Sequence, residues 1–298
     1  MGIDMHTRLD AAFERLGPRL KIAARYVLDH PDDVALYSMR TLAERAGVAP
    51  ATLSRLARAI QCEDYETFRH SYRAMVAGRH DPGASFAGRA RALKADAGNR
   101  KEAMREQAEA VVGNIDNFLA SGYRESLDLA ADILISARSV QVVGMMSGFS
   151  LAIYAHYVAS MAFPNWSLLR TQGGSIANSL YDLSEEDAVI AFSSEPYSRA
   201  TMVACQDARA AGVKVVAMTD RRSAPLARIA DVALVAPADS PHYFPSIAAQ
   251  VTVIEGLLST MLKRAGSETL TKIETIEAAR HAYGEYWDEE KEASSARS

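Results

Sequence analysis

Cysteine, tryptophan and long apolar runs are scarce in this sequence of 298 residues, which has two cysteines and two tryptophans. Cys62 and Cys205 lie far apart and outside any metal-ligand spacing, so the sequence predicts no disulfide framework and no cysteine metal site. We expect both to be small buried residues on helices. No apolar run approaches the length of a membrane span, and the first residues lack the apolar core of a signal peptide. These absences predict a reduced, cytoplasmic protein with no membrane contact, metal or cofactor.

A large excess of charge of one sign is also missing, because the formal net charge is -4. The charge is unevenly spread. Residues 1–105 hold 18 Lys and Arg against 13 Asp and Glu, a net +5, whereas residues 106–298 have a net -9. A basic front half and an acidic remainder favour nucleic-acid contact at one end only. The excess is modest, so we expect DNA binding to need two copies of the front half.

Residues 38–60, SMRTLAERAGVAPATLSRLARAI, predict two helices joined by a tight turn. Gly47 can adopt the positive φ that ends the first helix, and Pro50 suits the first turn of the second. Periodic apolar residues bury one side of the second helix and leave hydroxyls and arginines facing outward or flanking that side. A short helix of this kind, braced across a glycine turn, is what reading a DNA major groove requires. The alternative is an ordinary helical hairpin with solvated arginines.

The predicted DNA contacts lie on these two helices. Those at the start of the first helix would hold the DNA backbone, and those on the second would contact bases and phosphates. The full set is Arg40, Thr41, Pro50, Ala51, Thr52, Ser54, Arg55 and Arg58.

Beyond residue 139 the sequence alternates between short β-branched runs and helical segments. The five predicted strands are SVQVVGM, WSLLR, DAVIAFSS, VKVVAMT and DVALVAP. Near-continuous apolar strands separated by helices predict a five-stranded parallel sheet covered by helices on both faces. Ligands in such folds bind beyond the carboxyl ends of the strands.

This arrangement resembles the RpiR-type (MurR/RpiR) transcriptional regulators, which join an N-terminal helix-turn-helix to a C-terminal sugar isomerase (SIS) domain. The resemblance rests at the front on LAERAGVAPATLSRLARAI followed by Tyr65 and Phe68, and at the back on VVGMMSG, DAVIAFSS, VKVVAMTD and ADVALVAP. It implies a homodimer or homotetramer that binds operator DNA and a SIS domain that senses a phosphorylated sugar. Ala49 departs from the family, which usually has a capping serine there; such a loss costs about 1 kcal/mol.

The implied organisation has four parts. Residues 1–77 form an all-α helix-turn-helix domain, 78–125 a hinge and connecting helices, 126–280 an α/β SIS domain, and 281–298 a C-terminal tail.

Two loops are expected to hold the effector, because SIS domains usually bind phosphate with Ser- and Gly-rich loops at strand ends. Residues 144–150 keep a glycine turn and two hydroxyls. Residues 193–198 read SSEPYS where the family usually has Ser-x-Ser-Gly-x-Thr, so Glu195 replaces a serine and Pro196 a glycine. Proline removes an N–H donor. A glutamate beside a phosphate would cost about 4 kcal/mol at an effective dielectric of about 20, unless a cation such as Arg199 compensates.

We therefore hypothesise an effector other than a simple sugar phosphate. Glu195 would accept hydrogen bonds from hydroxyls or pair with an amine, and Tyr197 would supply a stacking face. The alternative is that Glu195 pairs with Arg199 and the pocket has degenerated. The predicted effector contacts are Ser147, Gly148, Ser150, Gln172, Ser193, Ser194, Glu195, Tyr197 and Ser198.

Taken together, the sequence predicts a DNA-binding regulator controlled by a small carbohydrate-related or other polar metabolite, and no catalytic residues. The competing interpretation is a SIS-type sugar or sugar-phosphate isomerase, which needs a base above the carbon that loses its proton. Glu195, His242 and Glu255 are the plausible bases near the predicted cleft, and no acid–base constellation joins them. A dimerisation module without DNA binding is disfavoured by the outward arginines after Pro50.

Overall fold

The computed structural model describes residues 5–78, 85–95, 103–169, 180 and 182–287. The predicted effector contact Gln172 lies outside these residues, as do most of the predicted tail and part of the hinge.

The N-terminal domain is entirely helical, as the sequence predicts. Apolar residues from successive helices form its own core, in which the rings of Phe68 and Tyr72 pack 4.8 Å apart. Its elements are α1 (Met5–Ala12), a 3-10 turn (Phe13–Arg15), α2 (Pro18–Asp29), α3 (Pro31–Leu36), α4 (Met39–Arg45), α5 (Pro50–Ala59) and α6 (Tyr65–Gly78).

Local chemistry sets the bounds of α4 and α5. The Ser38 hydroxyl caps α4 by accepting a hydrogen bond from the Thr41 backbone N–H at 3.2 Å. Gly47 follows the helix with φ +66°, the left-handed value that the sequence predicts. Pro50 begins α5, and Ala49 supplies no side-chain cap. The helix–turn–helix prediction is therefore correct in its turn chemistry and in its missing cap.

Three connecting helices lead to the second domain: α7 (Phe86–Ala95), α8 (Ala103–Ala120) and α9 (Arg124–Ser136). The first two, α7 and α8, contact the loop that follows the last strand. Phe86 stacks on Phe244 with ring centroids 4.9 Å apart, and the buried Asn114 side chain donates to the Asp239 carbonyl at 2.8 Å.

The C-terminal domain contains the predicted parallel sheet in the strand order β2-β1-β3-β4-β5. One core packs α9, α10 and α13 against one face, and a second packs α11 and α12 against the other. The elements are β1 (Val140–Gly144), α10 (Ser147–Ala162), β2 (Trp166–Leu168), β3 (Ala188–Phe192), α11 (Arg199–Ala210), β4 (Lys214–Thr219), α12 (Pro225–Ile229), β5 (Val232–Val235), α13 (Ala248–Arg264) and α14 (Glu268–Tyr283). The predicted fold class is confirmed.

Close backbone approach fixes where α10 begins. A Cβ atom on Gly144 would overlap the Gly148 carbonyl, and one on Gly148 would overlap the Phe192 carbonyl. The first turn of α10 therefore lies directly against the ends of β1 and β3, where the strand order reverses direction and ligands of such folds bind.

Within the residues described, no helix is both long and apolar enough to span a membrane.

Candidate functional site

The outer side of α5 carries two exposed arginines. Arg55 and Arg58 are exposed with Ala51 beside them, and neither arginine forms an ion pair with a residue that the structure describes. The Arg55 Nε donates to the Ala51 carbonyl at 3.4 Å, which lays this side chain along the helix. These guanidinium groups are available to phosphates or base edges.

Two hydroxyl-bearing residues of α5 are less exposed than its arginines. Thr52 is 5% exposed and lies within the buried side of the helix, so the prediction that it faces outward or flanks that side is wrong. Ser54 is half-buried, and its hydroxyl donates to the Met39 sulfur at 3.5 Å. Thr52 precedes the buried Leu53 and lies at the edge of the apolar side of α5. The sequence pattern alone did not decide whether its side chain faces the core or the solvent.

The remaining predicted DNA contacts lie at helix starts. Arg40 and Pro50 are exposed. Thr41 is half-buried, and its hydroxyl lies 3.0 Å from that of Ser38, the residue that caps α4. A DNA contact by the Thr41 hydroxyl would therefore compete with its hydrogen bond to the Ser38 hydroxyl.

At the first effector loop, Met146 has φ 57° and ψ -127°, a conformation that favours glycine, and its side chain is exposed. The Gly148 N–H donates to the Met145 carbonyl at 3.1 Å. Ser147 is half-buried, Gly148 is buried and Ser150 is exposed. The loop thus keeps two accessible hydroxyls, while the amides of Gly148 and Phe149 already donate to carbonyls of the loop itself.

In the second effector loop, two of the predicted contacts shape the loop. The Ser193 hydroxyl accepts from the Ser198 N–H at 3.2 Å, and the Ser198 hydroxyl accepts from the Thr201 N–H at 3.4 Å at the start of α11. Both serines are buried. Thr219, at the end of β4, donates its hydroxyl to the Ser193 carbonyl at 2.7 Å. These bonds hold the two strand ends together.

Ser194 is the third serine of this loop, and it faces the other side of the sheet. Gln250, fully buried near the start of α13, donates its amide to the Ser194 hydroxyl at 2.7 Å. Sequence reasoning missed Gln250. The available signal was a polar side chain at an inward position of an otherwise apolar helix face.

The partner of Glu195 is Arg221, from the loop after β4. The alternative pairing with Arg199 is wrong, because Arg199 is exposed and Arg221 takes its place. Arg221 also bonds Asp220 at 3.2 Å, and the Tyr197 hydroxyl donates to the same Asp220 at 3.0 Å. Burial alone would lower the pKa of Arg221, but Asp220, Tyr197 and Glu195 raise it above its usual value. Burial and Asp220 likewise raise the pKa of Tyr197. The network keeps Arg221 a cation that neutralises part of the carboxylate charge.

The three candidate bases of an isomerase have separate surroundings. Glu195 pairs with Arg221, and Glu255 accepts from the Tyr154 hydroxyl at 2.6 Å. His242 is exposed, with its ring 4.3 Å from that of Tyr243. No hydrogen bond among the residues described connects these three groups into a catalytic constellation.

Comparison with known proteins relates the C-terminal domain to a known family. Residues 133–260 match the SIS domain family. The sugar isomerase domain of an RpiR transcription factor from Sphaerobacter thermophilus is 24% identical over 59% of this chain and 99% of that chain, with a TM-score of 0.57. The Vibrio vulnificus NanR protein complexed with ManNAc-6P is 18% identical over 93% of this chain and 98% of that chain, with a TM-score of 0.56.

A Methanococcus jannaschii protein whose structure infers a 3-hexulose-6-phosphate isomerase function is 15% identical over 56% of this chain and 97% of that chain, with a TM-score of 0.45. No curated protein matches the sequence. Residues 133–260 thus form a SIS domain, and the fold is similar to those of the RpiR sugar isomerase domain and of NanR.

Proposed function

We propose that this chain is a DNA-binding transcriptional regulator whose SIS domain senses a small carbohydrate-related or other polar metabolite. The observation that carries the proposal is α5, a helix braced across Gly47 that presents Arg55 and Arg58 to solvent and is joined to a SIS domain. The likeness to NanR over 93% of the chain supports the same pairing of domains. Operator DNA and a second copy of the chain, in a homodimer or homotetramer, are the proposed partners.

The effector is proposed to be held differently from a simple sugar phosphate. Pro196 supplies no N–H, and the Ser193 and Ser198 hydroxyls already accept bonds from the loop itself. The pairing of Glu195 with Arg221 removes much of the repulsion between Glu195 and a phosphate that the sequence suggested. This part of the proposal therefore rests on the shortage of hydrogen-bond donors in the loop. Calorimetry with a panel of sugar phosphates tests it, and sub-millimolar binding of any of them would contradict it.

Fluorescence anisotropy tests the regulatory function directly. Purified protein is titrated into labelled DNA from upstream of its own gene and of the neighbouring genes, at fixed physiological salt. We expect nanomolar, sequence-selective binding. Weak binding that is indifferent to sequence would contradict the proposal.

The isomerase alternative has less support, because Glu195 and Glu255 are each engaged by another side chain. A turnover assay on hexose and pentose phosphates separates the two classes. A regulator should show no turnover.

A further inference from the structure

Two consecutive arginines in the loop after β4 form ion pairs with carboxylates in different domains. Arg221 pairs with Glu195 in the effector loop. Arg222 pairs through its Nε with the Asp10 carboxylate in α1 of the N-terminal domain, at 2.8 Å. One residue step therefore separates a contact of the effector loop from a contact of the helix–turn–helix domain.

Arg222 is the charged partner of the Asp10 carboxylate. Its side chain is 16% exposed, and its Oδ1 atom is buried with no hydrogen-bond partner among the residues described. Burial raises the pKa of Asp10, and the nearby Arg222 opposes that rise without cancelling it. A buried carboxylate with one charged partner is sensitive to any displacement of that partner.

A second ion pair joins the same two domains. Arg228 of α12 lies 3.9 Å from the Asp29 carboxylate at the end of α2. The loop after β4 is connected to α12 by a turn in which the Ala224 N–H donates to the Arg221 carbonyl at 3.1 Å. Ala224 is buried at the start of α12, so the turn is packed directly against the beginning of that helix.

We propose that this loop couples the effector pocket to the position of the DNA-binding domain, with Arg221 responding to what Glu195 binds and Arg222 holding or releasing Asp10. The inference rests on the proposed function for its biological meaning. A ligand that donates hydrogen bonds to Glu195 competes with Arg221. Consecutive Cα atoms are only about 3.8 Å apart, so Arg222 cannot keep its place when the Arg221 backbone moves. Such a ligand shifts the equilibrium because it favours the state in which the Glu195 pair is open.

Hydrogen exchange on the full chain tests the coupling without a ligand or DNA. We expect Glu195→Gln, which weakens the hold on Arg221, to raise amide exchange in residues 5–12 about threefold or more. Arg222→Gln should do the same by direct loss of the Asp10 contact. In the double variant the rise should be no greater than in Arg222→Gln alone, because both changes act on one path.

Two controls make the test specific. Arg228→Gln weakens the neighbouring domain contact but is not adjacent to Arg221, so the effect of Glu195→Gln should persist in its presence. Asp128→Asn, which disturbs an ion pair with Arg264 elsewhere on the SIS domain, should leave exchange in residues 5–12 unchanged.

Operator binding by the same variants separates this inference from the proposed function. Exchange in residues 5–12 that responds to Arg222→Gln but not to Glu195→Gln would overturn the coupling, as would a lack of response to Arg222→Gln. A chain that binds no operator but shows the expected exchange pattern would retain the coupling and lose the regulatory function. Sequence-selective operator binding without the exchange pattern would do the reverse.

Discussion

The Gln250 side chain donates its amide to the Ser194 hydroxyl at 2.7 Å, and the same nitrogen lies 3.4 Å from the Ala236 carbonyl. Two acceptors on one nitrogen fix the orientation of the amide. Because Ser194 accepts from Gln250, its own hydroxyl hydrogen is left for another acceptor. The bond also ties α13 to the end of β3 at the edge of the sheet where an effector would lie.

Gln250→Ala should lower the free energy of unfolding by about 2–3 kcal/mol. The change leaves a cavity and removes the amide that donates a hydrogen bond to the buried Ser194 hydroxyl. Urea denaturation of the full chain measures the change. Thr252→Ala is the matched control on an exposed position of the same helix and should change stability by less than about 0.5 kcal/mol. Equal losses in the two variants would show that the Gln250 contact contributes little.

Arg55→Ala should weaken operator binding by about 1–3 kcal/mol if the guanidinium reads a base edge. Arg55 is exposed and forms no ion pair within the described residues, so the change would remove the proposed DNA contact and, within the protein, the hydrogen bond to the Ala51 carbonyl. Anisotropy at fixed salt provides the measurement, with Lys263→Ala on the SIS domain as the control. An unchanged operator affinity would remove Arg55 from the contact surface.

Gly148→Ala should destabilise the SIS domain by about 1–3 kcal/mol, because the new Cβ atom would overlap the Phe192 carbonyl and push α10 away from β3. Gly256→Ala is the matched control in α13, where a Cβ atom meets nothing within 4 Å. That control should gain about 0.5–1 kcal/mol from helix propensity. Thermal denaturation of both variants distinguishes close packing from a general effect of glycine replacement.

Asp187, fully buried just before β3, should make stability depend on acid pH. Burial raises its pKa, but hydrogen bonds from Arg138 and from the Ser184 N–H outweigh that effect and hold the pKa below the usual 3.8. A depressed pKa in the folded state stabilises the fold above the unfolded value and loses this contribution as pH falls below it. Asp187→Asn should therefore be about 2 kcal/mol less stable at pH 7, with a difference that shrinks as pH falls below about 4.

Denaturant titrations of wild type and Asp187→Asn at several pH values give this comparison. Asp231 is a useful reference in a different part of the sheet. Burial raises its pKa too, but hydrogen bonds from Arg209 and from the Val215 N–H outweigh that effect and lower the pKa. A constant difference between wild type and Asp187→Asn from pH 7 to pH 3 would contradict the expected linkage.

The elements that local sequence determines were predictable. The turn at Gly47, the start of α5 at Pro50 and the five apolar strands follow from backbone preferences and hydrophobic period within a few residues. The pairing of Glu195 was not predictable from spacing. Arg199 is nearer in sequence, but β4 lies beside β3 in the sheet and brings Arg221 to the same edge.

The same limit applies to Gln250 and Thr52. Gln250 meets Ser194 only because α13 packs across the sheet after the chain has passed β5, a contact over 56 sequence positions. Thr52 lies beside the inward Leu53 at a boundary of the apolar side of α5, where the period of 3.6 residues leaves the direction of a small polar side chain open. Burial there is decided by the neighbouring helices.

The stack of Phe86 on Phe244 has a consequence for the geometry of DNA binding. It fixes the chain to the SIS domain eight residue steps after Gly78, the end of α6. Even a fully extended chain of that length reaches at most about 28 Å. While the stack holds, the end of α6 therefore stays within that radius of Phe86. In the proposed homodimer, the distance between two operator half-sites would then be bounded by this tether, the extent of the N-terminal domain and the separation of the two SIS domains.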